Sequence, residues 1–334
     1  MTTKKPIASL SLDLDNKWSY MKTHGDSGWE SFPSYLDILV PRVLSFLKER
    51  KLTITFFVVG QDAAFNKNHG ILKSIADAGH EIGNHSFHHE PWMHEYSRVA
   101  IETEIATAED HIERATERKP IGFRGPGHNS LSCATLQVLA RRGYLYDAST
   151  LPSLLSPLTR AIFFMTARLS PEQRHQRKWL GGTFSDGFRP IKPYRWRVDA
   201  GTLIEVPVTT MPIFKFPVHL TYLMCLRAFS PSLALGYFNA AIALCRLTGT
   251  QPSLLLHPTD FLGCDDTRAL SFLPGMELPS EKKMAFVSEI LHRLTGAFTV
   301  LTLQQHAKAA AQISELPVVE PHFPNAMTPK QQAV

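Results

Sequence analysis

The sequence predicts an α/β fold in which a mostly parallel sheet closes into a distorted (β/α) barrel of seven or eight strand–helix units. Three observations carry this. Short apolar runs recur along the chain, each followed by a stretch with helical periodicity. These runs are too apolar to leave one face in water, as in strands covered by helices on both sides. Polar residues able to do chemistry stand at the ends of several runs, where a parallel barrel assembles its site. A length of 334 residues suffices for one such domain.

The first strand is expected over 7–12 (Ile-Ala-Ser-Leu-Ser-Leu), leading to a helix over 35–50. Residues 53–59 (Thr-Ile-Thr-Phe-Phe-Val-Val) are β-branched and aromatic, which suits a strand, and lead to a helix over 69–78. A third strand over 80–83 precedes a long helix over 97–118. Residues 121–123 form a fourth, followed by a Gly/Pro loop and a helix over 133–142. A fifth, 145–146, closes the first half. After a segment that breaks the rhythm, strands are expected at 203–206, 253–256 and 298–301. The chain thus divides into one domain over 1–312, with an aromatic, basic insertion at 151–200, and a proline-bearing tail over 313–334 expected to fray.

Hydrophobic residues make up 44% and charged residues 19%, ordinary for a globular protein. The cysteines, Cys133, Cys225, Cys245 and Cys264, have no metal-site spacing and fit reduced thiols. With no apolar leader after Met1, a cytoplasmic protein is expected. No apolar run reaches the ~18 to 20 residues of a spanning helix. The charge is uneven. Residues 151–200 hold nine Lys/Arg against Glu172, Asp186 and Asp199, more than the whole chain's net charge of +5, so the rest is slightly acidic. No recognition motif accompanies this charge, which argues against nucleic acid.

Asp13 and Asp15 end the first strand and share a face if extended geometry persists. Two carboxylates facing one pocket repel unless a cation or proton lies between them. His85 and His89, in His-Ser-Phe-His-His, are four apart and would share a face on one helical turn, with His88 as a competing ligand. Two histidines and a carboxylate leave a divalent ion with open positions, while a second carboxylate can take a proton from bound water. Arg124, at another strand end, can hold a carboxylate and keep it ionised. His257, ending a late strand, suits acid work on a leaving amine, and Asp147 could orient its imidazole.

In this order the motifs resemble those of the NodB-homology polysaccharide deacetylases (carbohydrate esterase family 4). That family carries an Asp-rich motif, His-Ser/Thr-x-x-His, Arg-x-Pro, an Asp motif and Leu-x-His. Here they correspond to Asp13-Leu-Asp15, His85-Ser-Phe-His-His89, Arg124-Gly-Pro126, Asp147 and Leu255-Leu-His257, over about residues 7–310. The resemblance implies a distorted barrel of NodB type and one divalent metal, commonly zinc, on Asp15, His85 and His89. It makes Asp13 the base, Arg124 its tether, His257 the acid and Asp147 a further catalytic group. Pro126 and His128, on the loop behind Arg124, are expected to face substrate. Three features depart from the pattern. Leu14 separates the aspartates, a spacing similar to the branch acting on peptidoglycan, cyclic imides or lipid-linked amino sugars. Asp147 lacks the aromatic residue often found after it. The 151–200 insertion has no aligned counterpart.

The expected function is therefore removal of an acetyl or formyl group from an amino sugar in a lipid-linked or other biosynthetic glycan precursor. The insertion, with Phe163, Phe164, Trp179, Tyr194 and Trp196, would touch the inner membrane face or simply lid the barrel. The alternatives are an amidohydrolase for cyclic imides or ureides and a non-catalytic carbohydrate-binding module.

Overall fold

The computed structural model describes residues 5–323 except Asn129, Arg168, Trp179, Gly181 and Ala200, and without the side chains of Thr159, Ile162, Phe163 and Thr166. Trp179 and the Phe163 side chain, invoked above for a membrane surface, thus lie outside the described residues.

Among the described residues, ten strands form one sheet: β1 (Ile7–Asp13), β2 (Thr55–Val58), β3 (Glu81–Asn84), β4 (Gly122–Phe123), β5 (Tyr146–Asp147), β6 (Tyr194–Val198), β7 (Gly201–Glu205), β8 (Ser253–Leu256), β9 (Thr299–Leu301) and β10 (Val318–Val319). Their order is β10-β6-β7-β5-β4-β3-β2-β1-β8, with β9 paired to the start of β1. Every pairing is parallel except β6 with β7. The ladder does not close by strand pairing, but backbone beyond β7 completes the circuit. Val208 N–H donates to the Thr150 carbonyl (2.9 Å), and Thr209 reaches the Ser253 carbonyl at the start of β8 through both N–H (3.0 Å) and Oγ1 (2.7 Å). The result is a distorted (β/α) barrel.

Alternation along β1 shows how sequence builds both sides of the wall. Ala8, Leu10 and Leu12 are buried in the main apolar core, which also holds Leu39, Val43 and Leu47 of the helix Leu36–Glu49. Ser9, Ser11 and Asp13 occupy the other face and are equally buried, so each needs a polar partner. Ser9 finds His306 and Ser11 finds Arg124. Gly122 in β4 is required by contact: a Cβ there would lie 2.0 Å from the Tyr146 ring.

Two expectations about boundaries change. The insertion ends in a true strand, β6, whose Tyr194 and Trp196 face the core beside Leu203. The described part of the tail is also ordered. Val318–Val319 pair with Arg195 and Trp196, and the Phe323 ring sits 5.7 Å from that of Trp196. A free β6 edge explains both, since its unpaired backbone groups are satisfied by capturing the tail.

Candidate metal and catalytic centre

Four strand ends converge at the C-terminal mouth of the barrel. β1 delivers Asp13, opposite Phe57 of β2, and Asp15 two residues on. His85 follows β3, Arg124 follows β4 and His257 follows β8. Asp15, His85 and His89 are all buried, and their ligand atoms lie within 4.8 Å of one another. Asp15 Oδ1 is 2.8 Å from His89 Nε2 and 3.2 Å from His85 Nε2. Yet Asp15 Oδ1 and both nitrogens of His89 make no hydrogen bond of acceptable geometry. Buried lone pairs that converge without bonding one another are what a cation-binding cradle requires. The His85 tautomer suits the same purpose, because Nδ1–H donates to the Arg124 carbonyl (2.6 Å) and leaves Nε2 free as a ligand.

The His-x-x-x-His segment is not helical. Ser86 and His89 both adopt left-handed backbone (φ 64° and 52°), and a compact turn brings the two rings to 4.9 Å. A local cap from Asn84 and a distant carboxylate, Glu104, impose this shape. Asn84 Oδ1 accepts from Ser86 N–H, while Glu104 Oε1 accepts from the N–H groups of Phe87 and His88. Glu104 Oε2 also accepts from His88 Nδ1–H (2.7 Å), turning that half-exposed ring away from the mouth.

Asp13 is held apart from this set. Its Oδ1 accepts from Arg124 Nη1 at 2.7 Å, and its Oδ2 lies 3.8 Å from His85 Nε2. Arg124 is fully buried. It also donates to Ser11 Oγ and the Ala148 carbonyl, and packs 4.4 Å over the Phe57 ring. Burial alone would raise the Asp13 carboxyl, but Arg124, with His85 and His257, outweighs it and holds Asp13 below the usual carboxylate range. Asp13 therefore stands ionised beside the cradle, as a proton acceptor must.

Asp147 does not orient His257. Its carboxylate accepts from Ser149 Oγ (2.6 Å) and Ser149 N–H (3.2 Å), and burial pushes it above the usual carboxylate range. Burial, then the Asp147 charge, push Glu205 well above its usual range. Ser149 Oγ in turn accepts from Gly125 N–H (2.7 Å), so Asp147 fastens the loop that carries Arg124. His257 is instead held through its backbone N–H, which donates to Asp260 (2.7 Å).

Pro126 is buried in the turn after Arg124, and His128 beyond it adopts left-handed backbone with Nδ1 unpartnered. Sequence reasoning missed His219. Its buried ring lies 5.7 Å from that of His128 and 5.8 Å from that of His257, completing a row of three imidazoles. Burial is the main cause that pushes His128 down to about 3 and His219 well below its ordinary value, so both face the site as neutral rings. No motif flags His219; only the turn preceding the helix Leu220–Phe229 brings it there. Asp62 was missed too. It accepts from Asn16 Nδ2 (2.7 Å) and Trp18 Nε1 (3.0 Å), fixing the turn just after Asp15, and burial pushes its carboxyl up to about 7.

With this geometry in view, residues 26–146 match the model of the polysaccharide deacetylase family. That span holds His85, His89 and Arg124 but neither aspartate of β1 nor His257. A peptidoglycan-N-acetylmuramic acid deacetylase of Bacillus subtilis (strain 168) is 33% identical over 31% of this chain and 38% of its own length. The chain spans 38% to 61% of the first three curated relatives it matches. Among solved structures, a polysaccharide deacetylase candidate from Mycobacterium smegmatis is 20% identical, with TM-score 0.62 over 98% of this chain and 97% of that one. PuuE allantoinase shares the fold at 15% identity and TM-score 0.58, over 94% and 93% of the two chains.

Proposed function

We propose that this chain, whose residues 26–146 match the model of the polysaccharide deacetylase family, is a metal-dependent hydrolase removing an acetyl or formyl group from the nitrogen of an amino sugar. The observation that supports this most is the unbonded convergence of Asp15, His85 and His89 beside an arginine-paired Asp13. A divalent ion held by those three residues, zinc by the chemistry of the donor set, would polarise the acyl oxygen and acidify water. Asp13 takes a proton from the attacking water, and Arg124 keeps it ionised and aimed. As the water oxygen bonds to the acyl carbon, the C–N bond breaks and His257 protonates the departing nitrogen. A carboxylic acid and a free amine result. His128 and His219 line the same mouth with neutral imidazoles suited to sugar hydroxyls.

The Bacillus relative is named for an N-acetylated amino sugar, the same acyl group and substrate class. The positive excess of residues 151–200 favours an anionic, lipid-linked precursor met by a cytoplasmic enzyme at the inner membrane face.

Elemental analysis and product release test the reading together. About one divalent ion per chain is expected, lost in Asp15→Ala and His89→Ala and kept in His88→Ala. Acetate or formate should appear with polyprenyl-phosphate-linked amino sugars in a panel that includes chitin oligomers, peptidoglycan fragments and cyclic imides. Undiminished metal in Asp15→Ala, or turnover confined to imides, overturns it.

A further inference from the structure

His219 stands at the barrel mouth with a part in neither the metal cradle nor the proton transfers. It is the N-cap of the helix Leu220–Phe229, a position where Ser, Thr, Asp or Asn would bind the first free N–H groups through a side-chain oxygen. The His219 side chain makes no such bond. Its backbone carbonyl alone accepts from the N–H groups of Tyr222 (3.1 Å) and Leu223 (3.3 Å). The residue is 5% exposed and its ring packs edge-on to that of Tyr222, 4.5 Å between centroids, yet Nδ1 has no hydrogen-bond partner. An apolar ring could pack there without stranding a buried nitrogen.

The backbone of His219 is tied to the wall that carries His257. Val218 N–H donates to the Thr209 carbonyl (3.2 Å), and Thr209 is bonded to Ser253 at the start of β8, the strand that ends just before His257. The same strand thus sets both residues, with 5.8 Å between their ring centroids, and His128 lies 5.7 Å from His219. Each of the three keeps a buried Nδ1 without a partner. Neighbouring orphans beside a catalytic centre are polar positions left for a ligand to satisfy.

We propose that His219 is a specificity-determining residue, which hydrogen-bonds the hydroxyl on the carbon next to the acylated nitrogen while His257 serves that nitrogen. Spacing selects this occupant. His257 protonates the departing nitrogen, so the ring set beside it meets the group on the neighbouring carbon. In 2-amino and 4-amino sugars alike that group is the 3-hydroxyl, which can donate to or accept from an imidazole in either tautomer. Burial keeps His128 and His219 neutral, so the row does not draw an anion. Nor does the row hold a second ion, since among the described residues only Asp15, His85 and His89 bring three ligand atoms together. The inference deepens the amino-sugar reading above and rests on it, and its test reads binding apart from turnover.

The test is equilibrium dialysis of the whole, metal-loaded protein against glucosamine and 3-deoxyglucosamine at about pH 8.5, where such an amine is largely neutral. Both resemble the product, so neither is consumed. The parent should bind glucosamine about tenfold more tightly than the deoxy compound. His219→Phe, or His219→Leu should the first fail to fold, removes both ring nitrogens. It should bind the two amines within about twofold of each other and keep its metal content. His219→Gln, whose amide can donate and accept, should regain part of the preference, which a packing role would not give. Absence of glucosamine binding, equal binding of the two amines by the parent, or an undiminished preference in the apolar variant would overturn the proposal. The expected preferences without hydrolysis of any acylated amino sugar would overturn the enzymatic reading alone. Hydrolysis with no preference between the amines would overturn this inference alone.

Discussion

Asp13 and Asp147 are both buried carboxylates, and their partners assign them opposite work. Asp13 faces the guanidinium of Arg124, which holds it below the usual carboxylate range; Asp147 is pushed above that range by burial, beside the acid of Glu205. Replacing each by its neutral isostere separates the two. Asp13→Asn should keep the metal and lose about 10²–10⁴-fold in kcat, because an amide cannot accept the proton. Asp147→Asn should retain most activity, since an amide can still accept from Ser149 and donate to Glu205. The pair of kcat values checks this. Comparable losses in both would return Asp147 to the catalytic machinery. What the sequence offers here is residue type at strand ends. It does not show whether a carboxylate meets a cation or another acid, because Arg124 and Glu205 lie about 111 and 58 positions away and only the barrel joins them.

Elements were legible where local pattern and tertiary demand agree. β1, β2 and β8 read from short, mostly apolar runs, and the helix Cys133–Arg141 starts at Ser132, whose side chain caps it. The turn bearing His85 and His89 was illegible because Glu104, distant in sequence, holds its Phe87 and His88 N–H groups. β6 alternates Tyr-Arg-Trp-Arg-Val and was hidden only by the prolines and charges around it. At this scale His306 has the clearest consequence. It fastens the helix Leu303–Ala311 to the barrel floor, accepting at Nδ1 from Ser9 Oγ (2.8 Å) and donating from Nε2 to Gln251 Oε1 (3.0 Å). Burial pushes its pKa down to about 4. The unfolded chain, with a value near 6.5, then binds a proton that the folded chain does not, so stability is full above about 6.5 and falls as pH drops toward 4. That one group contributes on the order of 3 kcal/mol across the window. His306→Gln should flatten the slope of unfolding free energy against pH between about 6.5 and 4 in urea titrations. An unchanged slope would mean that the imidazole titrates normally in the folded state.

Across the whole molecule, charge and chain ends matter more than any one motif. The acidic balance of the barrel and the basic insertion meet at β6, which is both the last part of the insertion and the strand that receives the tail. Trp196 of β6 donates through Nε1 to Glu205 Oε2 (2.8 Å), and Glu205 stands beside Asp147, which fastens the Arg124 loop through Ser149. On its other side, β6 takes β10, with Arg195 N–H donating to the Pro317 carbonyl (2.8 Å). Arg189 packs 4.6 Å from the Phe323 ring. The tail therefore braces the strand that braces the site. Deleting residues 317–334 removes these backbone bonds and the Phe323 contact and leaves a bare sheet edge, at a cost of roughly 2 kcal/mol. Calorimetry should show Tm lower by a few degrees and a greater tendency to associate. Metal content should stay at the parental level, because Asp15, His85 and His89 follow β1 and β3, several strands away from β6 in the sheet order. A Tm that does not move would make the tail the loose appendage its prolines suggest. Loss of metal would mean that the brace reaches as far as the cradle itself.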